Sequence, residues 1–84
     1  MREEEVIEVV INAIAELIEV DKSTISMECS LMDDLDISSL EAMALMGDLE
    51  TKTGIVINNQ DIGRLVTVTD IVDMIMKKMA EGQH

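Results

Sequence analysis

Ser38, Ser39 and Glu41 are the residues of this 84-residue chain whose types and spacing suggest a chemical role. They close the polar run Asp33-Asp34-Leu35-Asp36-Ile37-Ser38-Ser39-Leu40-Glu41. Ser38 with Glu41 three residues later fits a capping box. The Ser38 hydroxyl accepts from the Glu41 N–H, and the Glu41 carboxylate accepts from the Ser38 N–H. Ser38 is then the N-cap and Ser39 the first helical residue. The Ser39 side chain is not needed for capping and is free to face solvent at the positive end of a helix dipole. That position suits a group that is to carry a phosphate.

Other reactive groups are scarce. The only histidine is His84, and Cys29 has no histidine near it in sequence. Cys and His are too few for a zinc site, and there is no glycine-rich phosphate loop. Asp33, Asp34 and Asp36 suggest calcium, but an EF-hand loop starting at Asp34 needs Gly and Glu where this chain has Ser39 and Leu45. A serine nucleophile needs a base, and nothing suitable accompanies Ser39. The remaining carboxylates read as solvated faces. These features describe a carrier or binding module without a metal, not an enzyme.

The segment Leu35-Asp36-Ile37-Ser38-Ser39-Leu40-Glu41 resembles the modification motif of acyl carrier proteins and related carrier domains. Their usual pattern is Leu-Gly-x-Asp-Ser-Leu followed by an acid or a polar residue. In that family the serine before the leucine carries 4′-phosphopantetheine, whose thiol holds acyl groups as thioesters. Asp36 stands where the family usually has glycine, and Ser38 where it has aspartate. The helix, loop and last helix that follow also match in order and spacing, so the resemblance covers nearly the whole chain.

The resemblance implies a covalent 4′-phosphopantetheine on Ser39, attached by a phosphopantetheinyl transferase. It implies partner enzymes that transfer or extend acyl groups in fatty-acid or polyketide-type biosynthesis. Asp36, Ser38, Leu40, Glu41 and Asp48 would be recognised by the transferase and partners. The acyl chain would be shielded by inward residues of the later helices, namely Met43, Met46, Ile57, Ile62, Leu65 and Ile71. A peptidyl or D-alanyl carrier is an alternative. So is an unmodified acidic helical bundle that only binds a protein, in which Ser38 and Ser39 merely start a helix. Ala44 and Gly47 leave the outward face of the second helix less acidic than expected of housekeeping fatty-acid carriers, which hints at a specialised partner.

Length and composition agree with a small module. Eighty-four residues make one domain, 1–84, with 81–84 as a frayed tail. Such a chain buries only about 60% of its unfolded surface. It has no Phe, Tyr, Trp or Pro, so its core must come from Ile, Val, Leu and eight Met. Met is adaptable, and such a core is easy to deform. The net charge of −12 argues against nucleic acid and anionic membranes and favours partners with basic docking surfaces. No apolar run approaches the roughly 20 residues of a membrane span. No basic segment precedes an apolar one as in a signal peptide. Cys29 is alone, so a reducing, cytoplasmic setting is expected. The chain is also expected to be a monomer.

The periodicity predicts an all-α fold, a bundle of three main helices and one short helix, with a long loop between the first two. The first helix spans 3–20, with Ile7, Val10, Ile11, Ile14, Leu17 and Ile18 as its stripe. In the connection 21–38, Ile25, Met27, Leu31, Met32 and Leu35 are spaced to anchor an ordered loop. The second helix covers 39–53 and stops at Gly54, with Met43, Leu45, Met46 and Leu49 inward. Gly47 inside it either allows a close backbone approach or is simply tolerated. Ile55-Val56-Ile57 has no partner strand and reads as an extended loop. Asn58 or Asn59 caps a short helix to about residue 65, and Thr67 with Asp70 caps the last, Val68 to about Ala80.

Overall fold

The computed structural model describes residues 1–82. Four α-helices follow one another: α1 (Glu3–Ile18), α2 (Ser39–Thr53), α3 (Asn59–Ile62) and α4 (Val68–Ala80). A short 3₁₀ turn, Lys22–Thr24, follows α1. Among the described residues no strand forms, and Ile55-Val56-Ile57 is an extended connection. No helix among them is long and apolar enough to cross a membrane. α1 packs against both α2 and α4.

Three glutamates open α1, where the helix dipole favours them, and Glu5 accepts from the Arg2 N–H at 2.9 Å. The helix ends at Ile18, two residues earlier than its periodicity suggests, because Glu19 turns left-handed at φ 57°. Its buried face is Val6, Val10, Ala13 and Ile14. This corrects the expected stripe: Ile7, Ile11, Leu17 and Ile18 are only half-buried. Apolar residues line more than one side of α1, and the helix meets two neighbours, so spacing alone does not select the innermost face.

In α2 the buried side chains are Leu45, Met46 and Leu49. Met43, expected inward, is 52% exposed. At about 100° per residue, Ala42 lies on the Leu45–Met46–Leu49 side and Met43 falls off it. Ala42 packs against the core. Gly54 ends the helix at φ 73°, donating to Glu50 O at 2.8 Å. Gly47 is exposed, and a Cβ built there meets nothing within 4 Å. No close backbone approach requires that glycine. Gly47→Ala is therefore expected to stabilise the fold by up to about 1 kcal/mol. Chemical denaturation checks this, and a loss of stability would count against it.

The long loop is ordered by hydrogen bonds to the start of α4. Leu31 N donates to Val66 O at 2.8 Å, and Val68 N donates to Cys29 O at 3.1 Å. Thr69 donates to Met27 O twice, from its N–H at 3.0 Å and its hydroxyl at 2.8 Å. Ile25 and Leu31 are buried, while Met27 and Leu35 pack half-buried against the core. Met32, expected as an anchor, is 63% exposed, and Ile37 is buried in its place. Leu31 already occupies the inward position of that turn, which leaves its neighbour facing out.

α3 is shorter than expected, ending at Ile62 before Gly63. Asn58 caps it by accepting from Asp61 N at 2.9 Å. Asp61 also pairs with Lys78 at 2.9 Å, tying α3 to the end of α4. The Asn58 N–H, followed by the Lys78 ammonium, holds the Asp61 carboxyl below the usual carboxylate range. The Thr67–Asp70 capping box of α4 forms in full. The N–H groups of Thr67 and Val66 lower the Asp70 pKa in the same way. Residues 83–84 of the expected frayed tail, including His84, lie outside the described residues.

Candidate functional site

The loop enters α2 through a clamped turn. Ser30 N donates to the Asp34 carboxylate at 2.7 Å, and both Asp34 N and Leu35 N donate to Ser30 O at 3.0 Å. Ile37 N donates to Leu31 O at 2.8 Å. Between these two fixed points the chain reverses at Asp36, whose φ is +54°. That left-handed conformation suits glycine, and Asp and Asn tolerate it better than other residues. A β-branched side chain does not, so Asp36→Val is expected to cost about 1–2 kcal/mol. Asp36→Asn removes the charge and keeps the backbone, so its stability is expected to match the parent. Thermal melts of both variants check this, and a Val variant as stable as the parent would refute it.

Ser38 then takes extended angles (φ −75°, ψ 167°) and caps α2. Its hydroxyl accepts from Glu41 N at 3.1 Å, and Glu41 Oε1 accepts from Ser38 N at 2.9 Å. Ser39 is the first residue of α2 and is exposed. Among the described residues its hydroxyl has no hydrogen-bond partner. Ser38 and Ser39 thus differ in kind: one hydroxyl is committed to the backbone, the other is available. A phosphoester on Ser39 would sit at the positive end of α2, which favours negative charge.

Beside Ser39 opens a cleft of about 260 Å³. Its walls are Leu31 and Ile37 from the loop, Ala42 from α2, and Ile62 and Leu65 from the α3 region. Met32 and Gly63 complete the lining. Of the six residues expected around an acyl chain, Ile62 and Leu65 line this cleft. Met46, Ile57 and Ile71 lie in the core. Met43 lines no part of the cleft and faces solvent, which corrects its placement. Leu31, Ile37 and Ala42 also line the cleft and are not among those six. Ala42 was recoverable from helix geometry, because it shares the side of Leu45 and Leu49. Leu31 was marked by its spacing as a loop anchor, though not as part of a cleft, and Ile37 carries no periodicity that could have marked it.

Of the expected recognition residues, Asp36, Ser38, Leu40 and Glu41 lie within three residues of Ser39 in the chain. Leu40 is 77% exposed, the most exposed large apolar residue described. Asp36 is exposed, whereas Glu41 is half-buried with its carboxylate engaged by the Ser38 N–H. Asp48 is exposed further along α2 and pairs with Lys52 at 3.0 Å, so part of its charge is balanced within the chain.

Residues 8–75 match the protein family described as a phosphopantetheine attachment site. The chain is 37% identical over 76 residues to an acyl carrier protein of Thermotoga maritima, covering 90% of this chain and 94% of that protein. It is 40% identical over 79 residues to an acyl carrier protein of an Exiguobacterium species, covering 94% of this chain and all of that protein. Its fold matches a crystal structure of an acyl carrier protein from Thermotoga maritima with a TM-score of 0.81 over 96% of this chain and 94% of that one. At 22% identity that last likeness concerns the fold alone.

Proposed function

Because this chain belongs to the acyl carrier protein family, we infer that Ser39 is the residue that carries 4′-phosphopantetheine and that the protein presents acyl groups to partner enzymes. Family membership makes it a carrier, not an enzyme, with phosphopantetheine as its prosthetic group. The single observation that carries the assignment to Ser39 is its free, exposed hydroxyl at the first position of α2, directly beside an apolar cleft. When attached, the arm supplies a thiol that holds an acyl group as a thioester. Ser39 anchors it, and the α2 N-terminus offers unpaired backbone N–H groups and a positive dipole end to its phosphate. Leu31, Ile37, Ala42, Ile62 and Leu65 offer apolar surface to cargo and keep water from it. Ser38 and Glu41 hold the start of the helix in shape.

The test is mass measurement after incubation with a phosphopantetheinyl transferase and coenzyme A, followed by peptide mapping. One added arm on the peptide containing Ser39, located to that residue by fragmentation, is the expected result. No addition, or an arm on Ser38, would overturn the assignment.

The pathway we favour is fatty-acid or polyketide-type assembly of aliphatic chains. The apolar lining of the cleft supports it over an aminoacyl cargo, whose ammonium would be costly to desolvate there. We further propose that partners dock through basic surfaces, given the net charge of −12. Exposed charges are screened over about 8–10 Å at ordinary ionic strength. Affinity for the cognate transferase is therefore expected to fall as salt is raised. A salt-independent dissociation constant would remove the electrostatic account.

A further inference from the structure

We propose that Gly63 is a specificity-determining residue of this carrier: by presenting no side chain, it leaves the mouth of the cleft open to short and medium aliphatic acyl chains. The proposal rests on the reading of Ser39 and its neighbouring cleft as the cargo site.

Nothing in the backbone calls for glycine at this position. Gly63 has φ −64° and ψ −15°, right-handed values that any residue adopts. A Cβ there would lie 3.7 Å from Asn59 O and from Gln60 O, which is ordinary contact, with no other neighbour within 4 Å. Close packing therefore does not exclude a side chain either. Glycine at a helix end that needs neither left-handed angles nor tight packing gives up backbone stability. What Gly63 does contribute is position. It is exposed, and it belongs to the lining of the cleft that also contains Ser39. Apart from its chain neighbours, no residue of the cleft lies within 4 Å of a Cβ there, so a larger side chain would have open space beside the cleft to occupy.

The dimensions indicate what the open mouth admits. An apolar cavity of about 150 Å³ holds benzene, with its six carbons. By that measure the cleft of about 260 Å³ has room for an aliphatic segment on the order of ten carbons. Longer chains would exceed that volume.

The experiment compares the parent chain with Gly63→Ala, Gly63→Ser and Gly63→Leu. Each is loaded from coenzyme A, hexanoyl-coenzyme A or octanoyl-coenzyme A, and loading is verified by mass. Melting temperatures of unacylated and acylated forms are then compared. A chain held by the native cleft and not by the unfolded state raises the melting temperature. The parent and Gly63→Ala are expected to show this rise, larger for octanoyl than for hexanoyl. Gly63→Leu is expected to lose most of it while its unacylated form melts no lower than the parent, and Gly63→Ser is expected to fall between. A full rise in Gly63→Leu would overturn the proposal. If the Leu variant proved unfolded, an undiminished rise in Gly63→Ser would overturn it instead. Failure of the underlying reading is visible separately. A parent chain that takes no arm fails at the mass measurement, and one that loads but shows no rise holds its cargo outside the cleft.

Discussion

Ser39→Ala is expected to abolish loading completely and to leave the fold as stable as before. The two halves of this result have separate physical causes. Loading needs a hydroxyl oxygen at the attachment point, and alanine has none. Ser38 is adjacent, but its hydroxyl accepts from Glu41 N and is held against the helix end. Capturing it would mean giving up the cap. Stability is preserved because Ser39 is exposed and its side chain takes no part in the capping box. Alanine is also the best helix former at a helical position. Ser38→Ala is the informative contrast. It removes a side-chain cap and should cost about 0.5–2 kcal/mol. For a domain of this size each kcal/mol lowers the melting temperature by roughly 4–8 °C. Ser38→Asp keeps an equivalent oxygen and should melt close to the parent. Mass measurement after transferase treatment, beside melting curves for the three variants, checks the whole pattern. Residual loading of the Ser39→Ala chain would move the attachment site elsewhere.

The largest stability effect is expected at Leu49, where Leu49→Ala should cost about 2–5 kcal/mol. Leu49 is fully buried on α2, a helix that packs against α1. Truncation loses its transfer free energy and leaves a cavity. How much of the cavity closes depends on how readily the core adapts, and this core includes adaptable side chains. Met46 is buried, and Met74, Met76 and Met79 pack half-buried against the same core. Met changes shape at low cost, so a value in the lower half of the range is expected. Even so, this is a large share of the roughly 5–15 kcal/mol that holds a small protein together. Leu40→Ala, at a site 77% exposed on the same helix, should change stability by less than about 0.5 kcal/mol. Urea denaturation of both variants separates the two cases. A Leu49→Ala cost below about 1 kcal/mol would contradict a close-packed core at that position.

Short-range physics was legible in the chain before any fold was known. The Ser38–Glu41 and Thr67–Asp70 boxes form as their three-residue spacing requires, because each exchanges hydrogen bonds within a single helical turn. The same locality puts Ser39 at the first position of α2 and stops that helix at Gly54. α4 runs from Val68 to Ala80 as its stripe and caps indicate. These outcomes depend on residues three or four apart, and distant parts of the chain have little leverage over them.

What only the tertiary structure decided is which apolar residues are inside and what space they leave. Val6 and Ala13 outrank Ile7 and Ile11 on α1 because burial there is set by where α2 and α4 lie. Met43 yields to the smaller Ala42 because the helix is rotated to bury Leu45, Met46 and Leu49 together. The loop is held by bonds such as Thr69 to Met27, 42 residues apart in sequence, and no local pattern encodes such a pairing. That tether brings Leu31 and Ile37 to one wall of a cleft whose other wall is Ile62 and Leu65. The proposed attachment residue, Ser39, was therefore suggested by seven consecutive letters, Leu35 to Glu41. The cleft beside it exists only once three separate segments have packed, because a cavity belongs to the space between residues and to none of them singly.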